Sequence, residues 1–186
     1  MDTAYRYMLR FVVDPRHEAQ ANLTRLYEFC RRARVDDVMF FIAPEELSIG
    51  QVYAGDAAPW LEIVAQAKPV LASMGITTSL NPWATLLHCD RGRTLPEGKS
   101  FTRMVDPNGQ EALSIGCPLD EAFQEHLCSF FASCCQAVHP DTIWVEDDFR
   151  LHNHDPLAWG GCFCEKHMAE YARRIGHPVA REGFVR

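Results

Sequence analysis

The sequence predicts an α/β protein: a parallel (β/α) barrel of the TIM type, of which this chain holds about the first four βα units. Three observations predict it. Short apolar runs alternate with longer helix-patterned stretches, strand first, four times over. That is the pattern of parallel sheets with crossover helices. The run Asp-Val-Met-Phe-Phe-Ile-Ala at 37–43 is almost wholly apolar, as suits a strand buried on both faces. The fourth apolar run ends in three consecutive carboxylates, Glu146, Asp147 and Asp148, and barrel enzymes present catalytic groups at strand ends.

Each element has its own reason. Residues 5–13 (YRYMLRFVV) read as the first strand, stopped by Asp14-Pro15. Residues 18–34 place Leu23, Leu26, Tyr27 and Cys30 at helical spacing. The strand 37–43 follows, then a loop over 44–58. Residues 59–74 read as the second helix, closed by Gly75. The third strand is 76–80, stopped by Asn81-Pro82-Trp83. A long Gly-, Pro- and Arg-rich connection covers 84–119, and connections of that length in compact domains usually serve function. Within it, Asp106-Pro107-Asn108-Gly109 is a strong turn signal for a hairpin of 101–105 with 112–115. Asp120 is placed to cap a third helix over 121–138. The fourth strand is 142–146. Gly160-Gly161 breaks the chain before a last helix over 165–175. A complete barrel needs about 250 residues. The 186 residues here are expected to be the N-terminal half of one domain, cut in mid-fold.

Composition excludes several functions. The net charge is −7 and no basic stripe exists, so nucleic acid is not expected as a partner. The first residues lack the apolar core of a signal peptide. No run approaches the roughly 18 apolar residues of a membrane span, and a cytoplasmic location is expected. No phosphate-cradling glycine motif follows any strand. Of the eight cysteines, Cys128, Cys134 and Cys135 share one apolar stretch with Phe123, Leu127, Phe130, Phe131 and Val138. They are expected to pack a core as reduced thiols.

Cys162, Cys164 and His167 form a C-x-C-x-x-H cluster. Two thiolates one residue apart reach one ion, and a histidine one helical turn later closes on it. A tetrahedral structural zinc needs a fourth ligand. Cys117, in the rigid setting Gly116-Cys117-Pro118, is the candidate, with Cys89 as its rival. The zinc-binding region is thus 117–167.

The acids carry the other chemistry. Three adjacent carboxylates repel, so at least one is expected to have a raised pKa or a cationic partner such as Arg150. A carboxylic acid held protonated near neutral pH acts as a general acid. Asn81, Trp83, His88 and Arg91, beside Asp90 and Arg93, follow the third strand; Arg150, His152, His154 and Trp159 follow the fourth. Aromatic faces beside polar groups suit sugar rings. Asp147, Asp148, His152 and His154 are alternatively a set of ligands for a catalytic divalent metal.

In these features the chain resembles the family 42 β-galactosidase-like group of retaining (β/α)8 glycoside hydrolases and their relatives. The resemblance rests on the strand-four acids, Cys117, and Cys162-x-Cys164-x-x-His167, with Asn81-Pro82-Trp83 and 88–93 resembling the sugar-facing loops. It implies a structural zinc held by Cys117, Cys162, Cys164 and His167, the last a cysteine in the family. It implies that Asp148 protonates the glycosidic oxygen of a β-linked, galactoside-like sugar while Asp147 orients a hydroxyl. The family's Asn-Glu pair is replaced by Asp147-Asp148 within Glu146-Asp147-Asp148. The family's nucleophile, a glutamate on strand seven, is expected beyond Arg186, so the chain alone is expected to lack turnover. Two other readings are a non-catalytic carbohydrate-binding relative and the metal-dependent hydrolase. Exposed edges of a half-barrel predict self-association into a homo-oligomer.

Overall fold

The computed structural model describes residues 5–44, 52–83, 101–145, 157 and 161–184. The order of elements is β1 (Met8–Val12), α1 (Ala19–Arg32), β2 (Asp37–Ile42), α2 (Ala54–Ala72), β3 (Thr77–Pro82), β4 (Arg103–Val105), β5 (Glu111–Gly116), α3 (Glu121–Val138), β6 (Thr142–Ile143), α4 (Glu165–Ile175) and a 3-10 turn (Arg181–Phe184). They fall into two compact units, each made of more than one stretch of chain, and one of the boundaries between them lies within α3.

The first unit holds a four-stranded parallel sheet in the order β1-β2-β3-β6. Its strands neighbour one another in chain order. The α/β class and the parallel pairing therefore agree with expectation. Val38, Phe40 and Ile42 on β2 and Leu80 on β3 are fully buried. Leu23, Leu26 and Cys30 from α1 are buried with them, as are Trp60, Leu61, Val64, Ala67 and Leu71 from α2. The other side of β2 is less enclosed than its all-apolar sequence suggests: Met39 and Phe41 are half-buried.

Several boundaries differ from the sequence reading: β1 and α1 are shorter at both ends, β6 is Thr142–Ile143 rather than 142–146, and α2 and β3 differ for identifiable reasons. Helix α2 begins at Ala54 rather than Pro59. A proline at a first helical position is a common start signal, but here Pro59 and Pro69 both sit inside the helix. Each forfeits a backbone hydrogen bond at a cost of about 3 kcal/mol. Burial of seven α2 side chains, Trp60 among them, returns about 1.5–3 kcal/mol for each large apolar one. The Asp56 carboxylate accepts the backbone N–H of Tyr53 at 2.8 Å and fixes the true start. Strand β3 runs on through Asn81 and Pro82. Groups on a parallel strand alternate between its two neighbours. The Trp83 amide bonds Ile42 of β2 at 2.8 Å, so the Pro82 nitrogen faces β6, whose pairing with β3 stops at Leu80. Its missing donor therefore breaks nothing.

In the second unit β4 and β5 form the expected antiparallel hairpin. The Asp106 carboxylate accepts the amides of Asn108 (2.9 Å) and Gln110 (2.8 Å), and Gly109 takes φ +91° in the turn. Helices α3 and α4 match their sequence bounds. The buried residues of α3 are Phe123, Leu127, Phe130, Cys134 and Val138, spaced by three and four as one helix face requires. That spacing corrects the cysteine reading. Cys134 is buried and Cys135 half-buried, but Cys128 lies off the stripe and is exposed. Among the described residues no helix is long and apolar enough to cross a membrane.

Candidate metal centre

Cys117 leaves β5 and enters a tight loop. Its amide donates to Thr102 at 2.7 Å, and its carbonyl accepts from the Asp120 amide at 2.9 Å. Gly116 precedes it because a Cβ there would meet the Phe123 ring at 2.8–3.0 Å. Asp120 ties the neighbourhood together. One oxygen caps α3 through the Phe123 amide at 3.0 Å. The other accepts from the amide and hydroxyl of Thr102 and lies 3.8 Å from the Lys166 ammonium. Burial raises the Asp120 pKa, but the Thr102 and Phe123 donors outweigh it and hold the carboxyl below its ordinary value.

Cys162 and Cys164 arrive from the loop before α4. Cys164 is the N-cap residue of that helix and His167 lies in its first turn. A helix N-terminus favours a thiolate there. Phe163, between the two cysteines, donates its amide to Val105 at 2.6 Å. Its ring packs edge-on against Phe184 at 5.3 Å. The paired cysteines are thus held from both sides, by the hairpin and by the 3-10 turn.

The four side chains converge. Sγ of Cys117 lies 3.5 Å from Sγ of Cys164 and 3.3 Å from Nδ1 of His167; Cys164 Sγ to His167 Nδ1 is 3.5 Å. With Cys162, all four donor atoms lie within 4.8 Å of one another. An ion bound tetrahedrally at about 2.3 Å from sulfur and 2.0–2.1 Å from nitrogen separates its ligands by about 3.8 Å (S to S) and 3.6 Å (S to N). The three measured edges fall within a few tenths of an ångström of those lengths, so the cluster can hold a metal ion. All three cysteines are buried and His167 is half-buried. Met104, Ala112, Ile115 and Leu157 pack around the sulfurs.

The electrostatics agree. Hydrogen bonding to Cys162 and Cys164, with burial, holds the Cys117 thiol far above its ordinary value. Cys164 is displaced far downward by donation from Cys117 and Cys162 and from the His167 side chain and amide. His167 is raised to about 9 by Cys162 and Cys164. Protons are therefore shared among donors crowded closely enough for one cation to replace them.

The other expected site residues separate into two groups. Asn81 is a buried residue of β3, opposite Phe41. Trp83 follows it, half-buried, with its ring 5.9 Å from that of Phe41. Glu146, Asp147, Asp148, His88, Cys89, Arg91, Arg150, His152 and His154 lie outside the described residues. Cys117 takes the position for which Cys89 was the rival. Sequence reasoning read Asp120 only as the cap of α3 and missed the rest of the supporting shell, Thr102, Phe163 and Phe184. Only the place of Phe163 between two ligands could have signalled it. A comparison with protein-family models, with curated proteins and with solved structures finds no match for this chain.

Proposed function

We propose that this chain belongs to a glycoside-hydrolase-like (β/α) barrel of the family 42 β-galactosidase-like kind, which hydrolyses or binds β-linked, galactoside-like sugars. The observation that carries the reading is the metal centre. One cysteine upstream of the strand-four acids meets a C-x-C-x-x-H cluster downstream of them, in the chain order of that family. The parallel sheet adds support. Its strands follow chain order without the reversal that doubly wound nucleotide-binding sheets contain.

Zinc is the ion proposed. Thiolates are soft donors, and three of them with one imidazole form a closed tetrahedral set. With no position left for water or substrate, its role is structural: it anchors the loops on either side of the strand-four acids. Asp148 is the proposed general acid toward the glycosidic oxygen, with Asp147 orienting a sugar hydroxyl. Retaining hydrolysis needs a second carboxylate, which the family places on strand seven.

The test pairs metal analysis with sugar chemistry. Gently purified protein should contain one zinc per chain and bind galactose or a β-galactoside detectably by saturation-transfer NMR. Asp148→Asn in a protein with turnover should slow substrates with poor leaving groups far more than activated ones. Protein without zinc and without affinity for any sugar would overturn the reading.

A further inference from the structure

Cysteines that sense oxidants are reached from solvent and stand next to a second, resolving thiol. Both conditions meet at Cys164. The second unit contains a cavity of about 410 Å³, partly open to solvent, between the β4–β5 hairpin, the start of α4 and the 3-10 turn. Of the four metal donors, Cys164 alone lines it. Thr102, Glu165, Lys166 and Arg181 make its walls polar, so water and molecules of similar size enter it.

The resolving thiol is Cys117. It is fully buried and is not among the cavity walls, yet its Sγ lies 3.5 Å from Sγ of Cys164. A disulfide bond is about 2.05 Å long. The two sulfurs must therefore approach by about 1.5 Å, shared between two side chains. Both residues stand at the ends of elements, Cys117 just after β5 and Cys164 at the N-cap of α4.

We infer that the metal centre is a redox-labile site, in which hydrogen peroxide entering this cavity oxidises Cys164, and Cys117 then closes a disulfide with it that ejects the ion. The inference rests on the zinc reading above and adds a regulation to that site. A thiol bound to a metal is deprotonated. The Cys164 thiolate attacks the peroxide: an S–O bond forms, the O–O bond breaks and hydroxide leaves. The product is a sulfenic acid. The Cys117 thiolate attacks its sulfur: the S–S bond forms, the S–OH bond breaks and a second hydroxide leaves. The two sulfurs together give two electrons to the peroxide, and two protons from solvent convert both hydroxides to water. Cys162 and His167 remain, two donors where a tetrahedral ion needs four. A thiol reductant with fresh zinc reverses the change by thiol–disulfide exchange.

The experiment treats the full chain, as purified, with hydrogen peroxide in the presence of a chromogenic zinc chelator. The product is alkylated, digested without reductant and mapped by mass spectrometry. The expected result is one zinc released per disulfide formed, with the disulfide joining Cys117 to Cys164 and Cys162 alkylated as a free thiol. A thiol reductant with added zinc should restore the metal content. Cys128→Ser, which lacks the exposed thiol, should release zinc as the wild type does. Cys117→Ser has no resolving thiol, so its Cys164 should run on to sulfinic acid; if that variant does not fold, the wild-type map decides alone. Zinc retained through peroxide treatment, a disulfide through Cys162 or Cys128, or irreversible oxidation of Cys164 in the wild type would overturn the inference and leave the zinc reading standing. Loss of release in Cys128→Ser, or Cys164 left reduced in folded Cys117→Ser, would overturn it too. Protein that contains no zinc as purified would remove both readings together.

Discussion

Single side chains decide the metal centre, and three of its four donors announce themselves. Cys162, Cys164 and His167 are close in sequence, so local chain geometry alone brings them together. Cys117 is 47 residues from Cys164, and only the hairpin and α3 return it to the cluster. The rigid Gly116-Cys117-Pro118 setting made it the candidate, with Cys89 left as its rival. Replacing Cys162 with serine should abolish stoichiometric metal binding, measured by a colorimetric chelator after unfolding. Cys128→Ser, at an exposed position off the buried stripe, should leave it intact, and His167→Cys should retain the ion. Metal and proton compete for the same lone pairs. At pH 7 Cys117, raised far above its ordinary value, and His167, raised to about 9, each hold a proton in the metal-free site. An ion bound by these donors must expel both. Lowering the pH from 8 to 6 should therefore weaken binding, by about tenfold per pH unit for each proton released. Calorimetry in buffers of different ionisation enthalpy counts those protons. Affinity that is flat across this range would contradict the donor set.

Among the elements, helices were the most legible. The α3 and α4 bounds follow from an Asp120 cap, an unbroken apolar stripe and Gly176 in the left-handed conformation at φ +80°. The α2 start was hidden because Pro59 imitates a first-turn proline while the tertiary core overrides its cost. Asp120 gives the sharpest test at this scale. Its carboxylate serves an α3 amide, Thr102 and Lys166 together. Loss of a cap costs about 0.5–2 kcal/mol. Asp120→Ala should therefore lower the melting temperature by about 2–6 °C, while Asp120→Asn, a good cap, recovers much of it. Differential scanning calorimetry at saturating zinc reads both. An unchanged melting temperature for Asp120→Ala would deny Asp120 its joining role.

At the scale of the molecule, the sequence conveyed class and strand order through its alternation of apolar runs and helices. It did not convey the division into two units, because that depends on long-range packing. The division predicts how the protein responds to a chelator. One core cluster of the second unit is built from cysteine sulfurs with Met104, Ala112, Ile115 and Leu157, and a separate one from Phe123 and Leu127 with Phe101. The first unit has Trp60, Phe40, Leu71 and Leu80 wholly or almost wholly buried. Removing the proposed zinc should erase amide-exchange protection in β4, β5 and the start of α4, while β2 and β3 stay protected. Simultaneous loss in both units, or in neither, would show that the ion has no such local role.

An ion held by the cluster would tie Cys117 to Cys164, 47 residues apart in the chain, across a span that includes α3 and β6. Closing a span of that length costs chain entropy of about 4 kcal/mol in the estimate used for cross-links, which ion binding and packing must offset. That cost depends on the logarithm of contour length. Ten extra residues inserted in the loop would raise the closure cost by only about 0.2 kcal/mol. Such a tie thus fixes two anchor points while leaving the length between them almost free to vary. Glu146, Asp147 and Asp148 lie within that span, so the segment bearing them can be lengthened at little thermodynamic cost without loosening the anchors.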